Sequence, residues 1–364
     1  MTDHQQMVPE NDMSNHRQQI IKLKRWQWWV LVVANIAFLL IGQSGAVILG
    51  KLYYDEGGKS LWMGALVQTA AFPVLYLPFF FFPNSPDHNT PPNNPPNQPS
   101  LTTKSSIYFS LGLLLGIDNI LYTLGLIFLP LSTYSILCAT QLIFNSIFSF
   151  FINKEKLTPL IFTSVFLLTL SAMLVAIHGD YSTKYKDAET DHQKSLYIIG
   201  FFCTIAASAA YALLLSLMQF SFDKVLKKES LGVVLEMQIY TSLVATIVCM
   251  VGLFASGDFL GLKKEMEGFN KKSTGYVLTL VGTALAWQIC SVGILGLIFL
   301  VSSLFSNFIS MLCLPFVPLF ALIAYGEEMN AIKIVAMVLG ILGFASYLYQ
   351  NHLDDRREQK IGHR

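Results

Sequence analysis

The sequence predicts an all-α integral membrane protein whose ten transmembrane helices form two inverted repeats of five. The chain is 53% hydrophobic and 13% charged, with a mean hydropathy of +0.52, whereas soluble domains carry about 25% charged residues. The stretches 29–50 and 275–326 contain no charged side chain, and about 20 apolar residues suffice to cross the hydrocarbon core of a bilayer. Finally, the pentapeptide GLIFL occurs twice, at 125–129 and 296–300.

The context of the two pentapeptides indicates a duplication. Each copy is followed by a serine-bearing stretch, an apolar helix, a short acidic turn at 153–156 or 326–329, and another apolar helix. Five helices in each half give the halves opposite orientations, so the repeat is inverted. Many transporters with such repeats bind substrate near the bilayer midplane, and the duplication therefore favours a transporter.

The apolar stretches define the predicted elements in order. The first repeat, 28–178, contains predicted helices at 28–53, 60–82, 105–128, 131–152 and 157–178. The second repeat, 195–350, contains predicted helices at 195–220, 232–256, 274–299, 302–325 and 331–350. The remaining segments are an N-terminal segment, an extracytoplasmic loop and a C-terminal tail, at 1–27, 179–194 and 351–364.

Composition also assigns the linker and the orientation. The segment 83–104 is rich in Pro and Asn and cannot bury apolar surface. It is predicted to be a disordered cytoplasmic linker, and the alternative is a docking segment for a partner.

The basic residues predict the orientation, because Lys and Arg concentrate on the cytoplasmic side of membrane proteins. The basic cluster before the first helix therefore places both termini in the cytoplasm, although the lysines at 263–272 run against this rule.

Polar side chains at bilayer depth are the candidate functional residues, because they are costly in lipid and usually face the bundle interior. Asp118 and Glu236 are the candidate proton-coupling groups, and Glu236 is preferred because it lies near the cytoplasmic start of its helix. The structural alternatives are capping of a broken helix for Asp118, proximity to water for Glu236, and hydrogen bonds between helices for the amides. The candidate substrate contacts are Gln68, Asn119, Tyr122, Gln141, Asn145, Tyr211, Trp287 and Gln288.

The residue types limit the chemistry. No Lys or Arg occupies a helix centre, which disfavours a phosphate or carboxylate substrate. Amides can pair with the edge of a heterocyclic base, and aromatic rings can stack on its face. The sequence contains no nucleotide-binding loop, no catalytic constellation and no metal-ligand spacing among its five cysteines. We therefore expect neither an enzyme nor a cofactor or metal, and the net charge of +1 argues against a nucleic-acid partner.

Five short motifs stand out in the sequence: LYYDEGGK at 52–59, QTAAFP at 68–73, GIDNILY at 116–122, TQLIFN at 140–145 and LEMQ at 235–238. These motifs resemble those of the plant purine permease family, with similarity running from Trp28 to Tyr349. The short acidic turns resemble those of the wider drug/metabolite transporter superfamily.

The resemblance implies the ten-helix drug/metabolite transporter fold and proton-coupled uptake of adenine and related bases, with cytokinins and some alkaloids among the substrates. The expected partners are a small-molecule substrate, protons and the lipid bilayer. We expect the plasma membrane, with an endomembrane as the alternative. The alternatives are a receptor that kept the fold and lost transport, and a transporter of another neutral amphipathic metabolite, such as an alkaloid or a vitamin B6-type compound. The sequence leaves the preferred substrate and the oligomeric state open.

Overall fold

The structure, a computed structural model, describes residues 25–81, 100–129, 131–180, 191–226, 231–312 and 331–362. All regular secondary structure in these ranges is helical. The α-helices are α1 (Arg25–Asp55), α2 (Leu61–Leu66), α3 (Tyr76–Phe81), α4 (Leu101–Phe128), α5 (Leu131–Ala139), α6 (Gln141–Ile152), α7 (Pro159–Asp180), α8 (Asp191–Phe220), α9 (Leu231–Ala255), α10 (Leu262–Glu267), α11 (Lys272–Leu300), α12 (Ser303–Leu312) and α13 (Ala331–Gly362).

The surface of the helix bundle fits a lipid environment. Large apolar side chains point outward, among them Phe80, Phe151 and Phe162, which are 77%, 72% and 73% exposed. Contiguous apolar surface on this scale is rare in soluble monomers. Within the described ranges, five helical spans are long and apolar enough to cross a membrane: Trp26–Asp55, Leu101–Phe128, Ser195–Val225, Gly232–Ala255 and Lys272–Leu300. The chain is therefore an integral membrane protein.

Four long helix pairs organise the bundle. Helix α1 packs along α11, α4 packs along both α8 and α9, and α7 packs along α13. The α1–α11 pair is unusually close, because a Cβ atom on Gly42 would lie 2.8 Å from both the Ala286 carbonyl oxygen and the Cys290 Cα atom. The main apolar core receives buried side chains from α1, α4, α6, α7, α8, α9, α11, α12 and α13.

Two of the predicted helices are interrupted. The segment predicted as one helix at 60–82 forms α2, a run of turns, a 3₁₀ turn at Phe72–Leu75 and then α3. Pro73 lies in the first turn of the 3₁₀ segment, and its missing N–H and its ring prevent an α-helix from continuing through this point. The segment predicted as one helix at 131–152 divides at Thr140 into α5 and α6.

Other boundaries also differ from the sequence-based expectation. Helix α4 begins at Leu101, inside the segment 83–104 assigned to the linker, and residues 83–99 of that linker lie outside the described residues. Of the helix predicted at 302–325, Ser303–Leu312 is described and helical. Helix α13 continues through the segment assigned to the tail and ends at Gly362. Residues 351–361 contain neither Pro nor Gly, so nothing in this stretch interrupts the helix.

Candidate functional site

Helix α4 carries two adjacent polar residues into the interior of the bundle. Asp118 is 1% exposed and Asn119 is 5% exposed. The Oδ1 atom of Asp118 and the Nδ2 atom of Asn119 have no hydrogen-bond partner among the described residues. A buried polar atom without a partner costs about 1–3 kcal/mol. Consecutive residues of α4 therefore carry an acceptor and a donor that no described protein group occupies.

Three tyrosines, which we call the tyrosine cluster (Tyr122, Tyr134 and Tyr211), lie in the neighbourhood of this carboxyl group. The ring centroids of Tyr134 and Tyr211 lie 6.3 and 6.4 Å from that of Tyr122, with nearly perpendicular planes. All three hydroxyl groups lie within electrostatic reach of Asp118. Aromatic rings from α4, α5 and α8 are therefore grouped near Asp118.

A chain of side-chain hydrogen bonds leads from the tyrosine cluster to α12. The Tyr122 hydroxyl donates to Oε1 of Gln141 at 3.1 Å, and Nε2 of Gln141 donates to Oδ1 of Asn307 at 2.8 Å. Asn307 is 1% exposed, and its Nδ2 atom has no partner in the described part of the chain. Gln141 thereby connects the predicted site residue Tyr122 with an amide that the sequence analysis did not select.

Asn145 lies one turn after Gln141 and has a different environment. Its Nδ2 atom donates to the Ser303 carbonyl oxygen at 3.1 Å, and its Oδ1 atom accepts from the Ser216 hydroxyl at 3.2 Å. The side chain is fully buried. Both ends of this amide are therefore occupied by bonds that join α6 to α8 and α12, as the structural alternative for the amides predicts.

A second amide group lies beside the break that follows α2. Nε2 of Gln288 donates to the Thr69 carbonyl oxygen at 2.9 Å, and Nε2 of Gln238 donates to Oε1 of Gln288 at 3.3 Å. Gln68 donates to the Thr123 hydroxyl at 3.4 Å. The Thr69 carbonyl oxygen also accepts from the backbone N–H of Phe72 at 3.2 Å. Because Pro73, four residues on, has no N–H to offer, the second hydrogen bond to this oxygen comes from Gln288 of α11.

Two predicted site residues lie in other surroundings. Trp287 is partly buried and packs against the main apolar core. Glu236 is partly buried near the start of α9 and interacts electrostatically with Tyr108. The ring of Tyr108 stacks on that of Tyr240 with a centroid distance of 5.6 Å. The two candidate carboxylates, Asp118 and Glu236, therefore have different neighbours.

Sequence reasoning missed Asn307 and Tyr134. A signal for Asn307 was present, because it is the single Asn in the charge-free stretch 275–326. Tyr134 lies shortly after the first copy of the repeated pentapeptide, in a segment whose polar residues are otherwise hydroxyls. Neither residue has a local pattern that distinguishes a site from ordinary packing.

Contacts join the end of α1 to α10 and the start of α11, and we call the residues that make them the latch (Tyr53, Glu56, Glu265, Asn270, Lys271 and Tyr276). The hydroxyls of Tyr53 and Tyr276 both donate to Oε1 of Glu265. The backbone N–H of Asn270 donates to the Glu56 carbonyl oxygen at 3.1 Å, and Lys271 pairs with the Glu56 carboxylate at 3.4 Å. The latch joins the connection after α1 to the connection before α11.

A smaller group of bonds joins helix ends that are distant in sequence. Oε1 of Gln219 accepts from the backbone N–H of Ser303 at 2.6 Å, and Nε2 of Gln219 donates to Glu155 at 3.0 Å. Gln219 lies at the end of α8, Glu155 follows α6, and Ser303 begins α12. One side chain thus satisfies an otherwise free N–H at the start of α12.

Comparison with known proteins agrees with the membrane architecture. A family model described as purine nucleobase transmembrane transport matches residues 30–357. Probable purine permease 11 of Arabidopsis thaliana is 54% identical over 349 residues, which cover 96% of this chain and 90% of that protein. Probable purine permease 13 of the same plant is 50% identical over 342 residues, covering 94% and 91%. The matched region contains all helices from α2 to α12.

Proposed function

The chain belongs to the purine permease family, and on that premise we propose that it is a proton-coupled secondary transporter that imports adenine and related N-heterocycles such as cytokinins. The observation that carries the proposal is the fully buried Asp118, whose Oδ1 atom has no partner among the described residues. This carboxyl group interacts electrostatically with Tyr122, Tyr134 and Tyr211.

The free atoms match the edge of an aminopurine. Adenine presents an exocyclic amino donor next to ring-nitrogen acceptors. Oδ1 of Asp118 can accept from such a donor, and Nδ2 of Asn119 can donate to a ring nitrogen. The rings of Tyr122 and Tyr211 offer aromatic surface, and stacking contributes about 1–3 kcal/mol per base. We therefore place the substrate at Asp118, Asn119 and the tyrosine cluster.

The other predicted contacts take supporting roles in this proposal. Gln141 holds Asn307, while Gln288 and Gln68 donate to Thr69 and Thr123 beside the broken helix. Asn145 fastens helices, and Trp287 packs against the core.

Asp118 and Glu236 are the proposed proton carriers. An unpaired carboxylate at bilayer depth is costly, so Asp118 is stable when it holds a proton or meets a donor from the substrate. We propose that Asp118 exchanges its proton as the substrate enters or leaves. Glu236 lies near the start of α9, the end that the predicted orientation assigns to the cytoplasm, where it would accept or release protons.

We propose that the helices form two inverted repeats that exchange access to the site. Among the ten predicted helices, α1 and α11 correspond to the first and the eighth, and α4 and α8 correspond to the third and the sixth. A repeat of five helices relates the first helix to the sixth and the third to the eighth. It therefore converts the α1–α11 pair into the α8–α4 pair. The first glycine of each repeated pentapeptide also meets the partner helix in the same way. A Cβ on Gly125 would collide with Thr204 of α8, and one on Gly296 would collide with Asn35 of α1.

Uptake of labelled adenine into cells that express the protein tests the function. We expect accumulation that collapses with a protonophore. Asp118→Asn keeps the shape of the side chain but cannot ionise, and we expect it to abolish accumulation. Asp55→Asn, at an exposed position at the end of α1, is the matched control and should accumulate adenine normally. No uptake above that of cells without the protein contradicts the transport proposal, and uptake indifferent to the protonophore contradicts proton coupling.

A further inference from the structure

We infer that Asn307 donates a hydrogen bond to a ring nitrogen of the substrate and that Gln141 is the positioning residue that orients its amide. This inference rests on the proposed function. Asn307 is 1% exposed, its Oδ1 atom accepts from Gln141 at 2.8 Å, and its Nδ2 atom has no partner among the described residues. A buried amide with one end fixed and the other end free is arranged to meet a bound molecule.

The orientation of the amide follows from the donors and acceptors of its neighbours. The Tyr122 hydroxyl has one proton and two acceptors nearby, Oε1 of Gln141 at 3.1 Å and Oγ of Ser208 at 3.4 Å. We assign the proton to the nearer acceptor, Oε1 of Gln141, so that Nε2 of Gln141 faces α12. An amide nitrogen can donate and cannot accept. The atom of Asn307 that faces Gln141 is therefore Oδ1, and Nδ2 is directed away from it. The hydrogen bond from Tyr122 to Gln141 thus determines which amide atom of Asn307 is left free for the substrate.

The presented atoms define the class of ligand. Nδ2 of Asn307 requires an acceptor, and Oδ1 of Asp118 requires a donor or a proton. Tyr122 connects these two groups, since it lies one turn after Asp118 on α4 and bonds to Gln141. A heterocycle that carries both an amino group and unprotonated ring nitrogens satisfies both groups. An analogue with C–H in place of the contacted nitrogen leaves the Asn307 donor unpaired.

Asn145 provides a control of the same residue type. It is also fully buried and follows Gln141 by one turn, but both of its amide ends bond to Ser216 and Ser303. A substitution at Asn145 should lower the amount of folded transporter and leave the preference among substrates unchanged.

The first test is competition against labelled adenine uptake by deaza analogues, in each of which one ring nitrogen is replaced by C–H. For the parent protein, we expect one analogue to compete about 5- to 150-fold more weakly than adenine, the range for a buried donor left unpaired. Asn307→Asp keeps the shape and the bond from Gln141 but removes the free N–H group. We expect this variant to lose adenine affinity by a similar factor and to discriminate no longer against that analogue. Asn145→Asp should keep the discrimination of the parent.

The second test reverses the orientation of the amide. In Gln141→Glu, the new carboxylate accepts and does not donate, so the Asn307 amide turns to donate Nδ2 to it and presents Oδ1 to the substrate. We expect the ratio of adenine to hypoxanthine affinity to fall at least about 5-fold, because hypoxanthine carries a ring N–H where adenine has an acceptor. A purely structural role of Gln141 would reduce transport of both bases equally.

The outcomes separate this inference from the proposed function. No adenine uptake by the parent overturns both. Adenine uptake that every deaza analogue inhibits as well as adenine itself overturns the inference for Asn307 without any variant, and leaves the transport function standing. Equal losses for all competitors in Asn307→Asp also overturn it. An unchanged adenine-to-hypoxanthine ratio in Gln141→Glu overturns the positioning role of Gln141.

Discussion

Glu265 is the residue whose substitution should open the latch with least disturbance elsewhere. It accepts hydrogen bonds from Tyr53 and Tyr276, which lie at the end of α1 and the start of α11. Glu265→Gln keeps the length of the side chain and an oxygen acceptor while removing the charge. The perturbation is therefore confined to the strength of two hydrogen bonds.

The magnitude follows from the kind of bond. Hydrogen bonds to a charged group contribute about 1.5–3 kcal/mol, and neutral bonds contribute about 0.5–1.5 kcal/mol. Glu265→Gln should therefore weaken each bond by about 1 kcal/mol and the latch by about 2 kcal/mol, which is about 30-fold in the opening equilibrium. The matched control is Lys271→Ala, because the side chain of Lys271 is 52% exposed in its ion pair with Glu56. An exposed pair contributes about 0.5 kcal/mol, so we expect about a twofold effect.

Hydrogen–deuterium exchange of the purified protein measures this equilibrium directly. The backbone N–H of Asn270 donates across the latch to the Glu56 carbonyl oxygen, so its exchange reports opening. We expect about 30-fold faster exchange of the peptide that contains Asn270 in Glu265→Gln, with unchanged exchange in α4 and α8. An acceleration below about threefold, or an equal acceleration in Lys271→Ala, would refute the assignment of Glu265 as the centre of the latch.

Two further predictions test packing and proton coupling. Gly42→Ala should lower the melting temperature of the purified protein, because its Cβ would lie 2.8 Å from backbone atoms of α11 and overpacking costs about 1–3 kcal/mol. Gly45→Ala should leave the melting temperature unchanged or raise it, since its Cβ would meet only the Ala286 Cβ at 3.6 Å; equal shifts would contradict the packing argument. Glu236→Gln should lose accumulation driven by an imposed pH gradient and keep counterflow of labelled adenine at equal pH, because the amide cannot ionise. Uphill accumulation equal to that of the parent would remove Glu236 as a coupling group.

The long helices could be predicted from the sequence because their signal is local. The charge-free stretch from 275 predicts a helix at 274–299, and α11 is Lys272–Leu300. The interruptions could not be predicted from apolar content, since the residues around Thr69 and Thr140 are as apolar as a continuous helix requires. At both positions the structure shows bonds from distant helices, with Gln288 donating to Thr69 and Ser208 donating to the Leu137 carbonyl before Thr140.

The site residues also depend on contacts between helices that are distant in sequence, and a local pattern does not reveal these contacts. Helical spacing correctly places Gln141 and Asn145 on one face, and both meet α12. The same spacing gives no means of telling them apart. Both amides have both ends bonded to protein, but Asn145 bonds to Ser216 and Ser303. Gln141 instead donates to Asn307, whose Nδ2 atom has no partner among the described residues. Which amide can reach a ligand depends on the register between α6 and α12, and that register is set by packing over a separation of more than a hundred residues.

The arrangement of the amides argues for a site whose selectivity lies in a few free atoms. Asn145, Gln219 and Gln288 direct their side-chain donors to protein oxygens, which makes them fastenings between helices. The Nδ2 atoms of Asn119 and Asn307 have no such partner among the described residues. An unpaired buried donor destabilises the transporter without substrate, and only a substrate with an acceptor at that position removes the cost. These two atoms therefore favour substrates that present ring nitrogens. The fastened amides, by contrast, contribute equally whether the site is empty or filled. Substitutions in the first group should therefore change which base is bound, and substitutions in the second should change how much folded transporter is present.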